Sequence, residues 1–226
     1  MKVLIFDSGP LINLSMNGLL YILEELKKVF DGRFIIPEQV RYEVVDRPIK
    51  IPRFELGALK IRGLIEDGIL EMPGSLDIDK EQIIKETLFL MSKANKCINA
   101  KDNWLHLISE AETSCLAVSS ELTRRGVENM IAIDERTTRV LTEKPENLEK
   151  LMSKKLHSRV VLSGDLSDFK NFRFIRSTEL VYVAYKKGLL RINGSEVLEA
   201  VLYATKYMGS SVSFEEIDEL KKLKIV

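Results

Sequence analysis

Two short apolar runs, Lys2–Phe6 (KVLIF) and residues 130–133 (MIAI), each lead into an aspartate, Asp7 and Asp134. An acid at the end of a buried strand is costly unless it is paired or put to use. In an open parallel sheet, such strand ends form the edge where ligands bind. Further acids can join them: Glu43 in PEQVRYEVV, and Glu110 with Glu112 in ISEAETS. Four carboxylates gathered in one place repel one another unless cations sit among them, and hard divalent ions such as Mg²⁺ or Mn²⁺ take oxygen ligands of this kind. Such ions hydrolyse phosphodiesters by activating water and stabilising the leaving oxygen.

Each acid also suits a plainer role. Asp7, followed by Ser8 and Pro10, could cap a helix. Glu43 fits a solvated helix face. Ser109 with Glu112 matches a capping box, and the same box recurs at Ser213 and Glu216, so that pattern alone is weak evidence for catalysis. Glu110 and Glu112 lie about 200° apart on a regular helix, so both cannot face one ion unless the first still belongs to the preceding turn. Asp134, followed by Glu135 and then Arg139, is the stronger candidate because a buried strand leads into it.

The elements that must position these acids follow from hydrophobic spacing. A strand over 2–6 and a turn over 8–10 precede a helix over 19–30 and a second strand over 34–36. Pro37 opens a helix that places Val40, Tyr42 and Val44 around one face, and helices are predicted over 55–67 and 80–96. A strand over 69–72 is followed by a Pro73, Gly74, Ser75 turn, and the polar stretch 99–103 reads as a connection. A long helix runs from Ser109 to Arg125, stopped by Gly126, before the strand ending at Asp134. Strands alternating with helices predict an α/β fold with a parallel sheet covered on both faces. Beyond Arg139 the pattern is mainly helical, over 145–157, 177–187, 195–207 and 213–223, with a short apolar run at 160–162.

Composition narrows the classes. The 226 residues are 45% hydrophobic and 30% charged, with 34 basic against 34 acidic side chains. One generous domain, with or without an appendage, is expected. Cys97 and Cys115 are too few for a disulfide framework or a zinc site, which fits a reducing cytoplasm. No stretch approaches the roughly 20 apolar residues that span a bilayer, so neither membrane insertion nor secretion is expected. Zero net charge leaves a nucleic-acid partner open, since binding depends on where charges sit. Arg136, Arg139, Lys154, Lys155 and Arg159 are candidates to track a phosphate backbone, against a solvated helix face laced with Glu146 and Glu149. His106 and His157 lie away from the acids in sequence, and Trp104 reads as core. A haloacid-dehalogenase-type phosphatase would need an acid where Gly9 stands, and DSGPL supplies no glycine-rich dinucleotide turn.

LIFDSGPLINL, IIPEQVRYEV, ISEAETSCLAVSSEL and IAIDERTTRVL together resemble the four motif regions of the PIN-domain nucleases, the family that includes the VapC toxins. The resemblance covers about residues 2–142 and is closest to the subgroup with an EAEA-type third motif and a helical C-terminal extension. It implies a three-layer α/β/α sandwich over residues 1–145, with an alternative boundary of that core at about 175, and a mainly helical extension over 146–226. It also implies an Mg²⁺- or Mn²⁺-dependent endoribonuclease for single-stranded RNA. Asp7, Glu43, Glu110 or Glu112, and Asp134 would be the metal-binding and catalytic acids, with Ser8 and Glu135 in support. A homodimer and a toxin–antitoxin pairing with a protein antitoxin are further implications. The sequence departs from the family in a long stretch between Glu43 and Glu110 and in the extension SSELTRRGVEN, and its tail resembles the subgroup only weakly. The competing expectation is a PIN-like fold without turnover that binds nucleic acid or protein.

Overall fold

The computed structural model of the chain describes residues 1–100 and 103–223. Among these, the strands are β1 (Lys2–Phe6), β2 (Gly32–Ile35), β3 (Leu70–Glu71), β4 (Ile98–Ala100), β5 (Asn103–Trp104), β6 (Glu128–Ala132), β7 (Val161–Leu162) and β8 (Phe174–Ile175). The helices of the first half are α1 (Ser8–Met16), α2 (Tyr21–Val29), α3 (Glu38–Arg41), α4 (Pro52–Glu66), α5 (Lys80–Ala94) and α6 (Glu110–Arg124). Those of the second half are α7 (Arg136–Glu143), α8 (Leu148–Leu156), α9 (Ser177–Lys186), α10 (Val197–Tyr207) and α11 (Phe214–Lys222).

The central sheet is parallel throughout, in the order β3-β2-β1-β6-β8, with helices covering it. This is the predicted α/β architecture with a parallel sheet and C-terminal helices. β1 is buried from Val3 to Phe6, as a central parallel strand covered on both faces must be. Its register with β6 ends at Phe6 opposite Ala132, so Asp7 and Asp134 emerge one and two residues past that pair at the same edge. Asp7 N–H extends the ladder to Ala132 O at 2.9 Å.

Several local expectations change. Residues 8–10 are the first turn of α1 and not a free turn; Asp7 caps it, and Pro10 sits where a missing N–H breaks no helical bond. The helix after Pro37 widens into a π turn, Tyr42–Asp46, closed by Arg47 N–H to Tyr42 O at 2.9 Å. That insertion turns Tyr42 outward and buries Val44 and Val45 in succession, so Tyr42 does not share the buried face of Val40 and Val44. The predicted connection over 99–103 carries strand instead: β4 pairs antiparallel with β5 and β7, while residues 101 and 102 lie outside the described residues. Trp104 is 53% exposed on β5, an edge strand of that small sheet, and is not core.

The second half is built into the first. β8 extends the central sheet beside β6, and Leu180, Val181 and Ala184 of α9, Leu202 of α10 and Ile217 of α11 join the same hydrophobic core as β1. Helix α4 buries Ala58, Ile61 and Leu64 and leaves Phe54, Leu56 and Leu59 exposed. Among the described residues, no helix is long and apolar enough to cross a membrane.

Candidate functional site

Asp7 joins β1 to α1 and is 3% exposed. Its Oδ2 accepts from Gly9 N–H at 3.2 Å, which is the helix cap. Its Oδ1 is buried and makes no hydrogen bond among the described residues. Burial, then the charges of Glu112 and Glu43, push this carboxyl up to about 7, against the pull of the Gly9 and Ser8 amides. Capping and a second use of the side chain are therefore compatible, since each oxygen has its own surroundings.

Asp134 is 4% exposed and differently held. Its Oδ1 accepts from Ser177 N–H at 2.9 Å and Ser177 Oγ–H at 3.0 Å, and its Oδ2 from Asn13 Nδ2 at 3.1 Å. Ser177 is the first residue of α9, so the carboxylate faces a helix N-terminus, where unpaired amides and the helix dipole favour negative charge. Asn13 also donates to Thr205 O at 2.8 Å and accepts from Asn17 Nδ2 at 2.9 Å. Burial raises the Asp134 carboxyl, opposed by the Ser177 and Asn13 bonds. One side-chain network thus ties β6, α1, α9 and α10 together.

The remaining acids divide. Glu112 completes the capping box, its Oε2 accepting from Ser109 N–H at 2.7 Å while Ser109 Oγ accepts from Glu112 N–H at 3.2 Å. Burial and the charges of Glu135 and Glu43 raise its carboxyl against the Ser109 bonds. Glu43 is half-buried on the π turn. The Cys115 thiol, fully buried on α6, is pushed well above its usual range by burial and then by the charges of Asp7, Glu112 and Glu43. Glu110 is exposed and accepts from Gln39 Nε2 at 3.3 Å, while Glu135 caps α7 through Thr138 N–H at 2.8 Å. Bases near the acids in sequence pair elsewhere: Arg41 with Asp46 at 3.6 Å, and Arg139 with Glu143 at 3.5 Å. Among the described residues, no three His, Cys, Asp or Glu side chains stand together as a ready metal-ligand group.

Of the candidate phosphate contacts, Arg136 and Arg139 line a cleft beside the C-terminal helices, whereas Lys154, Lys155 and Arg159 are exposed and lie outside its walls. Asn13 and Ser177 are not among the residues that the sequence pattern singles out. Asn13 did leave a signal, an amide within the apolar PLINL of α1. Ser177 left none, because its role rests on an amide brought from 43 residues away. Comparison with family models, with curated proteins and with solved structures finds no match for this chain.

Proposed function

We propose that the chain is a divalent-metal-dependent endoribonuclease acting on single-stranded RNA. The observation that carries this reading is Asp7 Oδ1: a buried carboxylate oxygen without a hydrogen bond among the described residues, in the field of Glu112 and Glu43. A hard cation supplies what that oxygen lacks, and the two acids whose charge reaches it, Glu112 and Glu43, offer oxygen as well. Gly9 adds to the fit, for a Cβ there would lie 3.4 Å from Asp7 Oδ2 and 3.5 Å from Asp134 Cβ, in the space between the two strand-end acids.

Asp7, Glu112 and Glu43 would hold Mg²⁺ or Mn²⁺, with Asp134 at the same edge. When bound, the ion would lower the pKa of a water and stabilise the leaving oxygen of a phosphodiester. The chain's own residues do the positioning: the Gly9 amide orients Asp7, Ser109 fixes one oxygen of Glu112, and Ser177 with Asn13 fixes Asp134. The toxin–antitoxin pairing and the homodimer belong to this reading through family resemblance alone. The second reading, a binding module without turnover, is favoured by the lack of a ready three-ligand group among the described residues.

Cleavage of an end-labelled single-stranded RNA pool in Mn²⁺, Mg²⁺ and EDTA, by the native protein and by Asp7→Asn, separates them. Metal-dependent cutting lost in the folded variant supports the nuclease; RNA binding without cutting, undiminished in the variant, supports the module. Gly9→Ala gives a milder test. Its Cβ meets only ordinary contacts, and alanine is the better helix former, so stability is expected to stay within about 1 kcal/mol of the native protein. The methyl intrudes between the acids, so Mn²⁺ affinity read by calorimetry is expected to fall on the order of tenfold.

A further inference from the structure

The geometry points to the cleft between α7 and the α10–α11 connection as a binding site for a phosphodiester group of the RNA strand. This inference rests on the nuclease reading for its choice of ligand. The cleft is about 670 Å³ and carries Arg136, Arg139, Arg176 and Lys206 against Glu143 and Glu216. Its cations have two different tasks.

Arg176 and Lys206 build the wall. Arg176 Nη1 donates to Ser211 O at 3.1 Å and to Glu216 Oε1 at 2.9 Å, and Lys206 Nζ donates to Val212 O. These bonds draw the carbonyl oxygens of the connection onto cations, so an entering anion meets less repulsion from the backbone. Arg136 and the Arg139 Nε–H are left for the ligand. Arg136 is exposed, and Arg139 is half-buried with its guanidinium engaged in the 3.5 Å pair to Glu143. Arg139 Nε and the Ser211 hydroxyl, both on residues lining the cleft, are buried and make no hydrogen bond among the described residues. Both are hydrogen-bond donors without a partner among the described residues, on residues lining one cleft, and side-chain rotation would offer them to a tetrahedral oxyanion.

The position of the cleft fits the same strand. Ser211 N–H donates to Asp134 O at 3.1 Å, and Arg136 follows Asp134 by two residues, so the cleft adjoins the acid edge. A phosphate held there would lie beside the acids without competing for their oxygens. An arginine pair also suits this task better than lysine, because the guanidinium fork can engage two phosphate oxygens at once.

The test measures binding of a fluorescent single-stranded 12-mer RNA in EDTA across a salt series. The proteins are native, Arg139→Gln, Arg136→Gln, and Lys85→Gln as an exposed control on α5. Arg139→Gln is expected to weaken binding about tenfold and to reduce the slope of log K against log salt by about 0.7 to 1, with a smaller loss for Arg136→Gln and none for Lys85→Gln. Arg136 is exposed, so its variant keeps the test informative if Arg139→Gln fails to fold. A parallel thermal-shift titration with inorganic phosphate distinguishes the sources of the anion. Phosphate that stabilises the native protein, combined with RNA binding indifferent to Arg139→Gln, would assign the cleft to a small free anion and overturn the proposal. Unchanged affinity and slope in both arginine variants would overturn it as well. Metal-dependent cleavage assayed on the same proteins keeps the two ideas apart: intact cleavage with indifferent arginines sinks only the cleft, and absent cleavage with arginine-sensitive binding sinks only the nuclease.

Discussion

Asp7→Asn is expected to lose the proposed metal-dependent RNA cleavage by about three orders of magnitude or more while making the metal-free protein more stable above pH 7. The two effects share one cause. In the unfolded chain this carboxyl ionises at its ordinary value of 3.8, and in the folded chain only at about 7, because burial and the charges of Glu112 and Glu43 oppose its ionisation. Between those values the unfolded state gives up a proton that the folded state keeps, so the native protein loses stability as pH rises through that window, and the loss levels off above about 7. A shift of this size corresponds to at most about 4 kcal/mol. Asparagine carries no proton to lose, and its carbonyl oxygen can still accept from Gly9 N–H. In EDTA the variant should melt like the native protein near pH 4 and roughly 5–10 °C above it at pH 8. The same offset at both pH values would show that ionisation of the buried carboxyl is not its origin, and lost cleavage accompanied by unfolding would remove the support for the proposed metal site.

The acids were legible in the sequence because local pattern is enough to find them: a continuous apolar run marks a covered parallel strand, and the residue after it stands at the sheet edge. Asp7 and Asp134 share that position at the ends of their strands. What separates them is non-local. Asp134 is bound by Ser177, whose place at the start of α9 follows from β8 joining the sheet, and by Asn13, whose amide also reaches Thr205 O from 192 residues away. Two residues of strand at 174–175 are too short to carry a period, so that part of the sheet left no readable trace. Glu112 against Glu110 could not be decided from spacing. The capping box formed as its pattern suggested, yet Glu112 is also among the charges that raise Asp7, so the structural and electrostatic roles coexist in one side chain. The π turn that carries Glu43 was similarly hidden, because a one-residue widening of a helix leaves its composition unchanged.

Asp134→Asn should therefore behave in the opposite way to Asp7→Asn, destabilising the protein by about 2–4 kcal/mol at pH 7 with or without metal. The carboxylate accepts on both oxygens, from Ser177 on one and Asn13 on the other, and an asparagine offers only one acceptor. If its oxygen faces Ser177, its amide group meets the Asn13 amide, donor against donor. Asn13 cannot turn to relieve this without giving up its bonds to Thr205 O and Asn17. If the substituted side chain flips instead, its amide group faces the Ser177 N–H, which is then left without an acceptor. Either arrangement loosens α1 and α9 where they meet β6, and the loss should appear as a melting temperature roughly 5–10 °C lower. Asn13→Ala combined with Asp134→Asn should cost less than the two changes separately by about 1 kcal/mol or more, since the first removes the donor that the second opposes. Strict additivity would mean that Asn13 and Asp134 do not act as one unit. Equal stability changes in Asp7→Asn and Asp134→Asn would mean that the fold holds its two strand-end acids alike, and the contrast between an anchored aspartate and an unsatisfied one would fail.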